Sequence, residues 1–137
     1  MKIYNEHIAL QSQKQREVFN ITTRVKAAAE KSGVHDAIAV ISSLHSNTAV
    51  IVTEVEPDLL EDLSDWLAQI SPSQNAYKHE SRLESTAHVH FQSLLLHHQV
   101  VVPITEGRLE IGATQAIFFV ELDGLRPRRI VVKIIGE

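Results

Sequence analysis

Short runs of β-branched residues recur along this chain and indicate a fold dominated by strands. Residues 37–44 (AIAVISSL) and 49–55 (AVIVTEV) have strand length, and the polar break between them predicts a hairpin whose turn carries His45. Residues 116–122 and 129–135 are predicted to pair with each other. Further strands are predicted at 3–12 (at a sheet edge), 15–20, 100–104 and 108–111.

Two helices are indicated by the residues at their ends. Thr22 or Thr23 is expected to cap a helix that ends at Gly33. Pro57 predicts the first turn of a second helix, which Ser71 ends. The apolar residues of this second helix follow helical spacing and are expected to face the core. They are Leu59, Leu60, Leu63, Trp66, Leu67 and Ile70.

Together these elements predict one α+β domain over residues 1–137, a β-sandwich of largely antiparallel strands with two to three helices. The polar residues 74–86 predict a long loop of the kind that tends to carry function. Residues 87–98 fit either a third helix or a segment that is part loop and part strand. No repeat or linker divides the chain, and its length is near the commonest domain size.

Composition excludes several classes of protein. The absence of cysteine rules out disulfides, thiolate metal sites and cysteine nucleophiles, and it fits a cytoplasmic location. A net charge of -4 argues against a general nucleic-acid-binding protein. The sequence has neither an apolar run long enough to span a membrane nor an apolar signal-peptide core. We therefore expect a cytoplasmic protein that binds neither nucleic acid nor membranes.

Histidine is the unusual component, with eight residues in the chain and five of them within 20 positions. Neutral imidazole is the commonest nitrogen ligand of transition metals. His88 and His90 would share a face on a strand but diverge by about 200° on a helix. Their spacing alone is a weak metal signal, and solvated histidines are the alternative. The eight are His7, His35, His45, His79, His88, His90, His97 and His98.

Two strand residues are candidates for contacts with substrate. Glu54 lies late in an apolar strand, where a carboxylate needs a partner, a cleft or water at the strand end. Gln115 opens the strand at 116–122, and Glu121 lies near its far end; either could be an ordinary surface residue.

An arginine cluster follows, with Arg126, Arg128 and Arg129 in four residues. Paired guanidinium donors suit a phosphate or a carboxylate. The alternatives are a solvated turn and an ion pair across a subunit interface.

A series of short motifs spans nearly the whole chain in a fixed order. It consists of HSNTAVIVTE at 45–54, Asp62-Leu63, Tyr77-Lys78-His79, His90, VPI at 102–104, GRL at 107–109, GATQ at 112–115, Glu121 and PRR at 127–129. In order and spacing these motifs resemble the YjbQ-type family, which is described as a secondary thiamine-phosphate synthase group.

The chain also departs from that family's pattern. Loss of a glycine removes easy access to positive φ, and loss of a tryptophan removes a large pocket wall. These changes are expected to affect substrate binding more than the fold. The departures are Ser46 and Asn47 for a threonine pair, Thr53 for asparagine, His97 for glycine, Thr114 for tryptophan and Ala116 for glycine.

The resemblance implies a homotrimer with sites near the subunit boundaries. It singles out His45, His79 and His90 as ligands of a divalent metal ion. Three imidazoles and an open position suit zinc, while nickel or cobalt would also accept nitrogen donors. Magnesium is possible with a diphosphate substrate, although it prefers oxygen ligands.

The implied reaction joins a hydroxymethylpyrimidine diphosphate to a thiazole phosphate and releases pyrophosphate. Arg128 and Arg129 are the expected phosphate-binding residues, with Arg126 behind them, while Glu54 and Gln115 are the expected catalytic residues. The alternatives are a trimeric metal- or phosphate-ligand-binding protein with little turnover, and a metal-assisted phosphoester hydrolase.

Overall fold

Eight strands and three helices form the part of the chain that the computed structural model describes, residues 1–74, 77 and 86–137. The strands are β1 (Lys2–Gln11), β2 (Glu17–Asn20), β3 (Ala37–Ser43), β4 (Thr48–Glu54), β5 (Gln99–Thr105), β6 (Arg108–Leu109), β7 (Gln115–Glu121) and β8 (Pro127–Gly136). The helices are α1 (Thr22–Ser32), α2 (Pro57–Ile70) and α3 (Ala87–Leu96).

The strands divide into two sheets. The five-stranded sheet has the order β1-β8-β3-β5-β6, and the three-stranded sheet has the order β2-β7-β4. All pairings between these strands are antiparallel. The predicted α+β fold is thus confirmed, and β1 lies at a sheet edge as expected.

The main core lies between the two sheets, because strands present alternate side chains to opposite faces. On β8, Ile130, Val132 and Ile134 are fully buried and belong to the same apolar cluster as Ile117 and Phe119 of β7. Helix α1 adds three buried residues to this cluster, Val25, Ala28 and Ala29.

Helix α1 ends at Gly33, whose φ of 68° is the left-handed conformation expected at that position. The expectation that a threonine caps its start was wrong. Thr22 is the first helical residue, and its N–H donates to the Asn20 side chain at 3.1 Å.

Helices α2 and α3 pack on the other face of the three-stranded sheet, where Leu67 and Val89 join an apolar cluster with Ala49, Val120 and Leu122 of the β4 and β7 region. The expectation that the whole apolar stripe of α2 faces the core was wrong. Leu59, Trp66 and Ile70 are 37%, 47% and 53% exposed. A sheet of three strands is only about 10 Å wide, and α2 and α3 share it. Only part of the apolar face of α2 can therefore contact the sheet.

The predicted hairpin at His45 was also wrong, although both strands form. β3 lies in the five-stranded sheet between β8 and β5, while β4 pairs with β7 in the other sheet. Because β3 has partners on both edges, β4 cannot pair with it. The segment that carries His45 is a crossover between the sheets.

The predicted pairing of residues 116–122 with 129–135 fails for the same reason. β7 lies between β2 and β4, and β8 lies between β1 and β3. The connection between them passes so close to the β1–β2 loop that a Cβ on Gly124 would stand 2.0 Å from the Lys14 carbonyl oxygen. Glycine is required there because no side chain fits.

Of residues 87–98, Ala87–Leu96 form helix α3, and His97 and His98 connect it to β5. Of the predicted loop 74–86, residues 75, 76 and 78–85 lie outside the described residues, and His79 is among them. No helix among the described residues is long and apolar enough to cross a membrane.

No described element covers the outer face of the five-stranded sheet. Ile3, Ile38 and Val101 are 64%, 44% and 55% exposed there. Strand register aligns the outward side chains in rows across the sheet. We call the following residues the outer sheet face: Ile3, Ile135, Ile38 and Pro103 in one row, Asn5, Lys133, Val40 and Val101 in the next, and His7, Val131, Ser42 and Gln99 in the third.

Candidate functional site

His45 is held in place by the hydroxyl groups that close the crossover between the sheets. Ser43 Oγ accepts the His45 N–H at 3.2 Å, and Thr48 Oγ1 donates to the His45 carbonyl oxygen at 3.1 Å. The two hydroxyls also bond to each other, and both residues are buried. The backbone at His45 is therefore anchored at each side by the ends of β3 and β4.

The imidazole of His45 continues the hydrogen bonding of the five-stranded sheet. β3 pairs with β8 as far as Ser43 opposite Ile130, and the next β8 amide, that of Arg129, donates to His45 Nε2 at 3.0 Å. A backbone amide can only donate, so Nε2 is an acceptor and the neutral ring carries its proton on Nδ1.

Partial burial lowers the pKa of His45, and the positive charge of Arg128 lowers it further, against an opposing effect of Glu121. These effects favour the neutral ring that the Arg129 hydrogen bond requires. At neutral pH His45 therefore offers a Nδ1–H donor and not a free lone pair.

His90 lies in the first turn of α3 and bonds back to the crossover. Its Nδ1 donates to the Ser46 carbonyl oxygen at 3.0 Å, and its Nε2 lies 3.3 Å from Thr86 Oγ1. One ring nitrogen donating to a backbone carbonyl is the usual arrangement of a metal-ligating histidine. His90 fits a metal in this respect, whereas the Nε2 of His45 is already used.

His45 and His90 line one open groove of about 580 Å³ between the crossover and α3. The adjacent rings of His97 and His98 are stacked, with centroids 4.8 Å apart. The remaining lining residues are Ser43, Leu44, Ser46, Ser93 and Leu94. Sequence reasoning did not assign His97 or His98 to a site; the available signal was the departure at His97, which stands for a glycine of the family pattern.

The backbone at His97 is strained. Its φ is 79° and its ψ is 155°, a region that is close to glycine-only. The conformation is held on both sides, because the His97 N–H donates to Ser93 O at 2.8 Å and its carbonyl accepts the Val50 N–H at 3.2 Å. Such a conformation lowers the stability of the fold, and strained residues of this kind cluster at functional sites. The strain at His97 therefore supports the groove as a candidate site.

Glu54 and Gln115 lie together, but not at this groove. They face each other at the far end of the β4–β7 ladder. Thr114 Oγ1 donates to Glu54 Oε1 at 2.9 Å, and Gln115 Oε1 accepts the Gly112 N–H at 2.8 Å. The length of β4 separates them from the end next to His45 by about 20 Å. The two groups of candidate residues are therefore apart in one chain, and we call the histidine groove and the Glu54 end the two candidate half-sites.

The arginines of the cluster have different environments. Arg128 is 4% exposed, and its Nε and Nη2 donate to the two oxygens of fully buried Glu121 at 2.7 and 2.8 Å. Glu121 is thus a buried partner, not the surface residue that the sequence allowed. Arg126 lies 3.8 Å from Asp123, and the Arg129 side chain is exposed. Arg128 is engaged inside the protein, which leaves Arg129 as the accessible candidate for phosphate.

No group of three potential metal ligands occurs among the described residues. His45 and His90 share the groove, and His79 lies outside those residues. The described side chains alone do not make a three-histidine centre, so we derive no chemical step through a metal. The metal assignment stays a prediction.

Comparison with known families adds to this geometry. The family model described as UPF0047 protein YjbQ-like matches residues 6–137. The chain belongs to this YjbQ-like family. It is 36% identical to a UPF0047 protein of Archaeoglobus fulgidus over 92% of this chain and 97% of that protein.

Solved structures agree with this assignment. A YbjQ-like protein of unknown function from Sulfolobus solfataricus superposes with a TM-score of 0.94 at 36% identity, over 99% of each chain. A YjbQ/UPF0047 family protein of Clostridium acetobutylicum gives 0.89 at 32% identity, over 95% of this chain and 99% of that one.

Two departures from the YjbQ-like pattern occupy the two half-sites. His97 stands where the pattern has glycine, in a backbone conformation that suits glycine. Thr114 stands where the pattern has tryptophan, and its hydroxyl holds the Glu54 carboxylate. We therefore expect these two changes to affect ligand binding more than the fold.

Proposed function

We propose that the histidine groove binds the phosphate group of a small phosphorylated ligand. The observation that carries this proposal is the protonation of His45, whose neutral ring has its proton on Nδ1 because Nε2 accepts from Arg129. A ring N–H is a donor suited to a phosphate oxygen. Arg129 does not line the groove, but its backbone amide bonds the His45 ring and its side chain is exposed, so in this proposal it reaches the phosphate from beside the groove and supplies the charge.

The site is proposed to be completed in a homotrimer, as the family resemblance implies. The outer sheet face supports assembly, because exposed apolar side chains in adjacent rows are typical of a surface that another chain covers. Its third row includes Ser42, which lies one residue before the end of β3, where the crossover that carries His45 begins. Contact through this face would place a second copy next to the groove.

Assembly also offers a role for the second half-site. Glu54 and Gln115 are about 20 Å from the groove of their own chain, too far to act on a ligand bound there. In our proposal the Glu54 end of one copy meets the histidine groove of the next. A phosphate group and a second ring would then be held by different protomers.

The reaction proposed for this combined site is that of a thiamine-phosphate synthase. The thiazole nitrogen attacks the pyrimidine methylene carbon, the bond from that carbon to the diphosphate oxygen breaks, and pyrophosphate leaves with the electron pair. His45 Nδ1–H and Arg129 would stabilise the leaving group, while Glu54 and Gln115 would orient the aminopyrimidine by hydrogen bonds. A cytoplasmic location belongs to the same proposal.

The test is incubation of purified protein with both precursors and with each of several divalent metals, followed by measurement of thiamine phosphate and pyrophosphate. We expect equal amounts of both products, and at least about a hundredfold lower rate for His45→Gln and Arg129→Gln. His35→Gln and Arg24→Gln are matched controls, since both residues are exposed and outside the proposed site. Absence of product with every metal would reject the synthase.

The second candidate is a binding protein with little or no turnover. It is favoured by His97 and Thr114, which alter both half-sites relative to the pattern. Phosphate binding that depends on Arg129 but yields no product would support it. Phosphate binding in the histidine groove itself, followed at the Arg129 backbone amide, that is equally tight in wild type and Arg129→Gln would contradict both candidates.

A further inference from the structure

Arg16 is a partly buried cation whose charge the described residues do not neutralise. It lies between β1 and β2, and partial burial lowers its pKa. No carboxylate oxygen of the described residues lies within 4.0 Å of its guanidinium. Its hydrogen-bond partner there is the neutral side-chain oxygen of Gln92. Withdrawing a charge from water is costly unless a counter-charge is supplied, so this position suits an anionic ligand.

Gln92 holds the arginine in a defined orientation. It is 1% exposed on α3, and its Nε2 donates to the carbonyl oxygens of Ser71 at 3.0 Å and Leu67 at 3.4 Å. These two bonds fix the amide so that its oxygen must face Arg16. The guanidinium is therefore pre-organised before any ligand arrives, which lowers the entropy lost on binding.

A small cavity of about 280 Å³ lies against Arg16 between α2 and α3. Besides Arg16 and Gln92, its lining includes the hydroxyl residues Ser64, Ser71 and Ser73 and the ring of His88. Asp65 also lines the cavity, but it makes no ion pair with Arg16. Ser71 Oγ already donates to the His88 carbonyl oxygen at 3.0 Å, so the donors left for a tetrahedral oxyanion are the Arg16 guanidinium and the hydroxyls of Ser64 and Ser73.

A second cavity, of about 530 Å³, extends from the other side of Arg16 and adds the cation Lys14. Of the acidic residues in its lining, Glu121 is neutralised by Arg128, and Glu17 accepts the Gln13 N–H at 2.8 Å. Glu61 also lines this cavity. Arg16 and Ser64 line both cavities, so a group larger than the anion itself has space on either side of the guanidinium.

We propose that Arg16 is the anchor of an anion-binding site for the phosphate group of a small molecule, separate from the histidine groove. The two sites use different sides of α3. His88 and Gln92 line the Arg16 cavity, whereas His90 lines the groove. Positions 88 and 90 diverge by about 200° around a helix, so one ligand group cannot contact both.

The probe is inorganic phosphate, titrated into the ¹⁵N-labelled full chain and followed by NMR. The Arg16 Nε–H and the Gln92 side-chain amide report on the proposed site, and the Arg129 backbone amide reports on the groove. We expect saturable shifts at Arg16 and Gln92 in the wild type and in Arg24→Gln, an exposed charge control. In Arg16→Gln the dissociation constant at Gln92 should rise at least about tenfold.

Arg16→Lys keeps a charge but lacks the fork, and it should bind with intermediate affinity while its amide spectrum stays that of the folded protein. Shifts at Arg16 and Gln92 that never saturate, or that are equal in Arg16→Gln and Arg24→Gln, would overturn the proposal. If phosphate causes no shift of the Arg129 backbone amide but does shift Arg16 and Gln92, the result contradicts the groove proposal and not this one. The two proposals can therefore fail separately.

Discussion

The two faces of the five-stranded sheet differ in what covers them, and β8 shows this residue by residue. Arg128, Ile130, Val132 and Ile134 point inward and are buried by the second sheet. Their neighbours Arg129, Val131, Lys133 and Ile135 point outward, where no described element covers them. One arginine thus joins an internal ion pair while the next is left for a ligand or another protomer. Strand alternation, more than residue type, decides the role of each.

Removal of the buried counter-charge on the inner face should have the largest effect. Glu121→Ala leaves Arg128 buried and unpaired, and it also removes the acceptor of Ser12 Oγ. We expect a loss of about 3–5 kcal/mol in the free energy of unfolding, measured by urea denaturation.

The control is the double variant Glu121→Leu with Arg128→Met, which removes both charges. It should recover more than half of the loss, because an apolar pair needs no counter-charge. Equal destabilisation of the single and double variants would show that the ion pair is not the reason for the effect.

A charged substitution on the outer sheet face should weaken assembly without changing the fold. Val101→Lys puts an ammonium group in the centre of the exposed apolar rows, opposite Val40. Covering that charge costs several kcal/mol, so association should weaken by at least about a hundredfold while the fold is unchanged. Light scattering should give three times 15.3 kDa for the wild type and one copy for the variant.

Gln69→Lys, on the exposed side of α2, adds the same charge elsewhere and should leave assembly unchanged. A variant Val101→Lys that keeps the wild-type mass would remove the outer sheet face as the interface.

The sequence predicted the positions of the strands and helices better than it predicted which strands pair. Alternation in residues 129–135 is visible in the sequence and is what the structure shows. Pairing is not visible there, because a strand with apolar side chains on both faces accepts any apolar neighbour. The β3–β4 and β7–β8 pairs were therefore predicted from adjacency in the chain, and both strands of each pair found partners in different sheets.

The candidate site was predictable only in part for a related reason. His45 and His90 are matched by the motifs, and the structure places them on one groove. The hydrogen bond from Arg129 to His45 depends on a crossover between sheets that the sequence did not indicate. Glu121 lies near the end of its predicted strand, and the sequence left open that it is an ordinary surface residue. Its burial requires Arg128, which lies in the other sheet.

His97 lies in the histidine groove, in the connection between α3 and β5, and its substitution should raise stability. His97→Gly relieves a φ of 79° with a ψ of 155°. After the extra chain entropy of glycine, we expect a gain of about 1–2 kcal/mol in unfolding free energy together with weaker phosphate binding in the groove. His98→Gly is the matched control and should lower stability. A loss of stability in His97→Gly would show that the ring contributes more than the strain costs.

The smallest expected effect is a pH dependence that arises at His45, in the same groove. Burial and the charge of Arg128 lower its pKa in the folded protein, whereas the pKa of a histidine in the unfolded chain is about 6.5. The unfolded state therefore binds the proton first, and the stabilisation present above pH about 6.5 is lost as the pH falls toward the lower folded value. Protonation of Nε2 would also break the hydrogen bond from Arg129. When the free energy of unfolding from urea denaturation is plotted against pH between 5 and 8, it should change less with pH for His45→Gln than for the wild type or His35→Gln. Parallel curves for all three proteins would mean that His45 takes up its proton equally in both states, and the neutral donor proposed for the groove would lose its basis.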